Sequence, residues 1–227
     1  MTGVLPVALS RACRLSDYFM KKDKEYIGIM RLHDDVDDEK LKEEMQKFVG
    51  KIMQKPPVKS RVKRVERPRS VYKFEIIERD EKDALFIAEV EAGTYIRKLV
   101  SDLGEKIGGA HMLELRRTKA GIFEEKGSHT LYEIVKAFDD YKKGDDRMLR
   151  QMLIPGEIVA KVMPVGYVKK ESINKLFTGS PVFYEFFERI PLEKTGLIAL
   201  FHKDRIIEIA RVVNESKVYA VPEFVLN

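Results

Sequence analysis

"EAGTYIRKLVSDLGEKIGGAHMLELRRTKAGIF", residues 91–123, carries two different periodicities back to back. From Ile96 onward, Ile96, Leu99, Val100, Leu103 and Ile107 recur at three- and four-residue spacing, which places them on one side of a helix. Gly108-Gly109 closes that helix, because glycine takes the left-handed terminal conformation at little cost. "AHMLELRRTKAGIFEE" then reads as strand and turn. An amphipathic helix needs an apolar face to cover, and strands are available upstream. "KEYIGIMRLH" (24–33) alternates, with Tyr26, Gly28, Met30 and Leu32 on one face and Ile27, Ile29, Arg31 and His33 on the other. "VYKFEIIE" and "ALFIAEVE" are strand-like runs joined by the polar connection "RDEKD".

Further helices flank these strands. "EKLKEEMQKFVGKIM" (39–53) places Leu41, Met45, Phe48, Val49 and Ile52 at helical spacing, with Asp37 or Asp38 to cap it and "KPP" to stop it. "TLYEIVKAFDDYKKG" (130–144) predicts another helix. From "QMLIPGEIVAKVMPVGYV" onward the style changes, punctuated by Pro155-Gly156 and Pro164. A short helix, "KKESINKLFTG", and a two-strand hairpin, "GLIALFHKDRIIEIARVV", turning at Lys203-Asp204, follow. The expected organisation is α+β: a mixed, mainly antiparallel sheet with flanking helices over residues 1–162, and a small β-rich module over 163–227.

The opening stretch, "MTGVLPVALSRACRLSDYF", is apolar almost at once. Its charges, Arg11 and Arg14, follow the apolar run, whereas a secretory signal places them in front. The run is also far shorter than the roughly 20 apolar residues that cross a bilayer. It is expected to be a core strand or buried helix turn whose partner lies outside this chain.

The net charge of +5 and the pI near 9.0 conceal an uneven distribution. Lys51 to Lys73 holds nine Lys or Arg against one acid, Glu66, a local net charge of +8, so the rest of the chain is net −3. "KPPVKSRVKRVERPRS", with Pro56, Pro57 and Pro68, reads as an extended arm. Its cations could line a phosphate backbone and release counterions; the alternative is a solvated loop. Prolines favour the binding role, since they lower the cost of ordering the arm. Cys13 is the single cysteine and forms no internal disulfide, which fits a reducing cytoplasm. With His33, His111, His129 and His202 scattered, no metal-ligand cluster can be drawn.

Two residues fit their elements less simply. Tyr26 lies on an alternating strand, where core packing is the ordinary reading. Arg97 lies in the first turn of its helix, where the helix dipole already presents positive charge, so it is disfavoured unless an anion stands opposite. A surface arginine tolerating that small cost is the alternative. "LRRT" (115–118) sets two cations beside apolar residues, which is common on a strand.

In order and spacing, "TGVLPVAL", "KEYIGIMRLH", "QKPPVKSRVKR", "EAGTYIRKLVSDLG" and "GAHMLELRRTKAGIF" resemble the TruB family of RNA pseudouridine synthases over residues 1 to about 135. "MRLHDDV", "QKPPVKS" and "AHMLELRRTKAG" are more similar to its archaeal and eukaryotic dyskerin-type branch, the catalytic subunit of box H/ACA ribonucleoproteins. The C-terminal module resembles a PUA domain. The resemblance implies the pseudouridine synthase fold and isomerisation of uridine to its C-glycoside in rRNA or tRNA, without a cofactor or metal. The target nucleotide is flipped out of its stack. An aspartate then acts on the ribose, as nucleophile at the anomeric carbon or as base at its neighbour, and the freed uracil turns and rejoins through carbon 5.

By the same resemblance, Tyr26 stacks on the target base and helps move its proton, Arg97 pairs with the catalytic carboxylate, and Leu115 forms an apolar pocket wall. Lys24, beside Tyr26, joins Lys55, Lys59, Arg61, Lys63 and Arg64 as RNA-binding residues, and residues 55–65 correspond to a thumb loop that grips RNA. The implied partners are substrate RNA, a box H/ACA guide RNA and the small proteins of that particle, with no membrane. The family's G-T-L-D-P segment, with its catalytic Asp, precedes the residues matching "TGVLPV". It is therefore expected just upstream of Met1, leaving the fold N-terminally incomplete. Two functions follow: a fragment or mis-started form of an active synthase, or a non-catalytic RNA-binding or assembly module.

Overall fold

The computed structural model describes residues 2–57 and 62–226. In chain order, β1 (Thr2–Gly3), α1 (Ser16–Met20), β2 (Lys24–Leu32), α2 (Asp38–Gln46), β3 (Gly50–Gln54), β4 (Arg67–Asp80), β5 (Asp83–Val90), α3 (Ile96–Ile107), β6 (Ala110–Ala120) and β7 (Phe123–Glu124) come first. Then follow α4 (Leu131–Lys142), α5 (Arg147–Met152), β8 (Val165–Val168), α6 (Ile173–Phe177), β9 (Val182–Phe183), β10 (Phe187–Arg189), β11 (Gly196–His202), β12 (Arg205–Glu215) and β13 (Val218–Val225). Packing divides the chain into two units, Met1–Val7 with Phe19–Ser128, and Ala8–Tyr18 with His129–Asn227.

The first unit is built on a sheet of order β1-β6-β2-β5-β4-β3, with β7 beside β6. Every ladder is antiparallel except the short one between β1 and β6. Gly28 of β2 faces Phe86 on one side and Leu115 on the other. A side chain there would begin 2.6 Å from the Phe86 ring and 3.0 Å from the Glu114 carbonyl, so glycine is what lets the three strands close. The expected face of α3, Ile96, Leu99, Val100, Leu103 and Ile107, is buried against Met30, Leu32, Phe74, Phe86 and Val90. Gly108 ends α3 at φ +87°.

Two expectations are corrected. The helix predicted over 39–53 stops at Gln46; Asp37 caps it, accepting from the Lys40 amide at 2.8 Å, while Gly50 at φ +112° turns the chain into β3. Ile52 therefore belongs to a strand, paired with Arg69, and Pro68 lies within β4 opposite Met53. The apolar spacing from Leu41 to Ile52 is that of a helix followed by a strand, which mimics one longer helix.

The opening stretch, expected to be a core strand or buried helix turn, is core only in part. Val4 is buried and donates its amide to the Arg117 carbonyl at 2.8 Å, while Leu5, Val7 and Leu9 are exposed. In the second unit, Tyr18 stacks on Phe224 and Arg14 donates to the Val225 carbonyl.

The second unit carries a six-stranded sheet of order β10-β8-β11-β12-β13-β9. Its β11–β12 hairpin turns through Lys203, at φ +52°. The first sheet's last strand ends at Glu124 and the second sheet's first begins at Val165, while α4 and α5 group by packing with the second unit. The mixed, antiparallel-rich α+β architecture matches the sequence expectation. Among the described residues, no helix is long and apolar enough to cross a membrane.

Glu208 is the unexpected member of this second core. It is fully buried on β12, paired in register with Leu200 and Val225, and neither carboxylate oxygen has a hydrogen-bond partner among the described residues. Burial pushes its carboxyl from 4.5 up to about 8. Between those values the folded chain keeps a proton that the unfolded chain has released, so stability falls as pH rises, by up to about 1.4 kcal/mol per pH unit. Urea unfolding of wild type and Glu208→Gln at pH 5 and pH 8 is expected to show the variant gaining on wild type at pH 8, with little difference at pH 5. Equal differences at the two pH values would contradict the assignment.

Candidate nucleic-acid interface and active site

The register of β2 gathers the candidate residues at one end of the sheet. Lys24, Tyr26, Gly28, Met30 and Leu32 alternate onto the core face, opposite Val90, Ala88, Phe86 and Ala84 on β5. On β6 the same face presents Ala120, Arg117 and Leu115. A turn of five residues leads from Val90 into α3, with Thr94 folding back to the Glu91 carbonyl through its hydroxyl at 2.8 Å. The first turn of α3, with Arg97, is thus held near the end of the sheet where Val90 faces Lys24. Lys24, Tyr26 and Arg117 share that end by register, and Arg97 lies in the first turn of the helix that starts from it.

Their environments differ. Tyr26 is half-buried against the core, and Leu115 is buried within it at 7% exposure. Lys24 turns its ammonium back to the Met20 carbonyl at 2.7 Å and to the Lys22 carbonyl. Burial, then the neighbouring Arg117, lowers its pKa, with Asp23 opposing the shift. Arg117 donates to the Val4 carbonyl at 2.7 Å. Arg97 is exposed, and its side chain has no hydrogen bond or ion pair with any described residue.

Carboxylates close by are committed elsewhere: Glu25 accepts from Thr118 at 2.7 Å, Asp23 from Tyr72 at 3.3 Å, and Glu91 from the Ser70 amide at 2.9 Å. This end of the sheet therefore presents fixed positive charge beside a phenol, an arrangement suited to receiving an anion and an aromatic ring.

The arm is the loop of a hairpin whose stem is β3 and β4, closed by the pairing of Gln54 with Arg67. Lys55, Lys63 and Arg64 are exposed, and the Arg64 Nε donates to the Pro56 carbonyl at 3.3 Å. Lys59 and Arg61 lie outside the described residues. Farther along the basic segment, Arg69 and Lys73 are neutralised by Glu91 at 3.5 Å and Glu75 at 3.2 Å. Lys51, Lys55, Lys63, Arg64 and Arg67 have no ion pair among the described residues and remain available to an external polyanion.

Two neighbours carried no assigned role in the sequence reading. Arg117 was visible only as half of an ordinary "RR" pair. Gln54, 3% exposed, bonds both backbone polar groups of Tyr95. Its signal was an amide sharing the Ile52 face of a strand, where an apolar residue is expected. His33 and His111 hydrogen-bond to each other at 2.8 Å, and among the described residues no three His, Cys, Asp or Glu are grouped to hold a metal.

Residues 1–96 match the model of the TruB family pseudouridylate synthase N-terminal domain, and residues 97–160 match that of the tRNA pseudouridylate synthase B C-terminal domain. A probable tRNA pseudouridine synthase B of Archaeoglobus fulgidus is 36% identical over 96% of this chain and 68% of its own length. Its counterpart in Pyrobaculum calidifontis is 39% identical over 96% of this chain and 67% of its length. The chain thus spans about two thirds of these relatives. Among solved structures, a Cbf5–Nop10–Gar1 complex contains a chain that superposes with TM-score 0.87 at 33% identity, over 98% of this chain and 72% of that one. An H/ACA ribonucleoprotein bound to a substrate RNA containing 2'-deoxyuridine gives 0.87 at 31% identity, over 99% and 72%.

Burial separates the candidates by what they contribute to folding. Arg97→Ala is expected to change unfolding free energy by no more than about 0.5 kcal/mol. Leu115→Ala should cost about 2–5 kcal/mol through the cavity it leaves. Urea denaturation of the two variants measures both, and a large loss for Arg97→Ala would tie that side chain to the fold.

Proposed function

Because this chain belongs to the TruB family of pseudouridylate synthases, we propose that it isomerises uridine to pseudouridine in rRNA or tRNA, directed by a box H/ACA guide RNA and accompanied by the small proteins of such a particle. What supports this reading is that Lys24, Tyr26 and Arg117 lie together at one end of the sheet, from which the helix bearing Arg97 starts. In the isomerisation a nitrogen–carbon glycosidic bond breaks and a carbon–carbon bond forms. The proton lost from carbon 5 is balanced by one gained at the ring nitrogen, so no electrons are exchanged and no cofactor is required. Tyr26 supplies the face on which the flipped base stacks. Arg97 supplies the cation that holds the catalytic carboxylate ionised and aimed at the ribose.

The arm and the C-terminal unit serve RNA binding in this reading. Lys55, Lys59, Arg61, Lys63 and Arg64 grip the phosphate backbone, and the second sheet acts as a PUA-like module. The scarcity of cysteine supports a cytoplasmic location. A second reading, a non-catalytic RNA-binding or assembly module, is favoured by one observation: among the described residues no carboxylate pairs with Arg97.

The purified 227-residue chain, incubated with a guide RNA and a uridine-containing target, decides between them. Pseudouridine in the target supports the catalytic reading, and binding without conversion supports the other. A salt titration of RNA affinity tests the arm. Lys63→Ala with Arg64→Ala is expected to make the slope of log affinity against log salt shallower by roughly 1.4, about 0.7 for each single-strand phosphate contact. An unchanged slope would remove these two residues from the interface.

A further inference from the structure

We propose that Gln54 is a positioning residue that clamps the arginine-bearing first turn of α3 to the root of the basic arm. Gln54 is the last residue of β3 and is 3% exposed, in a place where an unsatisfied amide would be costly. Both its polar atoms are satisfied by one backbone residue. The Tyr95 amide donates to Oε1 at 3.0 Å, and Nε2 donates to the Tyr95 carbonyl at 3.3 Å. That pairing admits only one orientation of the side-chain amide, since donor and acceptor cannot be exchanged.

Tyr95 is the N-cap residue of α3 and provides no capping side-chain bond of its own. Its carbonyl also accepts from the Leu99 amide at 3.0 Å, so Gln54 grips the group on which the first helical turn is hung. Arg97 stands two residues along. On its other side, Gln54 pairs in register with Arg67 and is followed directly by Lys55, where the arm begins. A polar link of two bonds therefore joins the arm's stem to the helix start. A displacement of the stem by bound RNA would reach Arg97 through this link. The transmission step rests on the reading of the arm as an RNA grip, whereas the clamp itself does not.

The test uses amide hydrogen exchange by NMR on the full chain with and without a uridine-containing single-stranded RNA. Gln54→Met keeps the side chain's length and removes both bonds; Gln54→Glu keeps the acceptor for the Tyr95 amide and loses the donor. In the free chain, the Tyr95 and Leu99 amides are expected to exchange about ten-fold faster in Gln54→Met, while β2 and β5 amides stay unchanged. Gln54→Glu should restore slow exchange at Tyr95 but not at Leu99. Unchanged exchange in Gln54→Met overturns the clamp. Should β2 and β5 also open in that variant, the split between Tyr95 and Leu99 in Gln54→Glu decides instead.

With RNA, the Arg97 Nε–H signal is expected to shift in wild type and to stay in place in Gln54→Met, at RNA affinities within two-fold of each other. A shift that persists in Gln54→Met overturns the transmission role, since Arg97 would then respond to RNA without the link. Absence of RNA binding by wild type would defeat the RNA reading and with it the transmission, leaving the clamp to stand or fall on the free-chain exchange.

Discussion

Lys24–Leu32 is hydrogen-bonded along both edges, to β5 and to β6, and the first unit depends on that double register. Side chains on a strand alternate, so a slip of one residue in either ladder would turn Tyr26, Met30 and Leu32 away from α3 and bring Ile27, Ile29 and Arg31 inward. Gly28 locks the alignment, because only at that position is there room for Phe86 and the β6 backbone to close on the strand. Everything placed at the Lys24 end follows from it. The short turn after Val90 brings in α3, and the β6 ladder brings in Arg117.

Charge is arranged on the same scaffold with little internal compensation. The acids within reach of the candidate site are each bonded to a hydroxyl or a backbone amide, while Arg97 is left without a described partner and Lys24 is held by carbonyls that carry only partial charge. The exposed cations of the arm stem are likewise unpaired among the described residues. A positive field so built gains most from ligands that bring their own negative charge, and nucleic acid is such a ligand.

Much of this was legible because periodicity is a strong signal where one face alone is buried. The five apolar residues of α3, the alternation of β2 and the β11–β12 turn all report a single boundary between core and water. The same signal misled where two elements met in phase: Leu41 to Ile52 continues a helical spacing across Gly50, although the last residues pair as a strand. Polar residues inside the fold leave no periodic trace. Glu208 lies within an unbroken apolar stretch and reads as exposed by its type, and Gln54 is meaningful only through Tyr95, 41 residues away. Ordered motifs conveyed Tyr26 and Arg97 as a pair of interest, but the placing of Arg117 beside Tyr26 is a property of strand register.

The small parallel seam between β1 and β6 has a consequence for how the chain acquires its structure. Thr2 meets Arg116 across 114 residues, and Gly3 approaches so closely that a side chain would collide with the Arg117 backbone. Closing so long a loop is entropically slow to repay through two residues of pairing, so this seam belongs to the late steps of folding. During synthesis at roughly 5–20 residues per second, residues 2–4 wait about 6–23 s before their partner strand exists. Through that interval Val4, buried once the seam is made, is open to whatever else in the cell binds nascent hydrophobic chain.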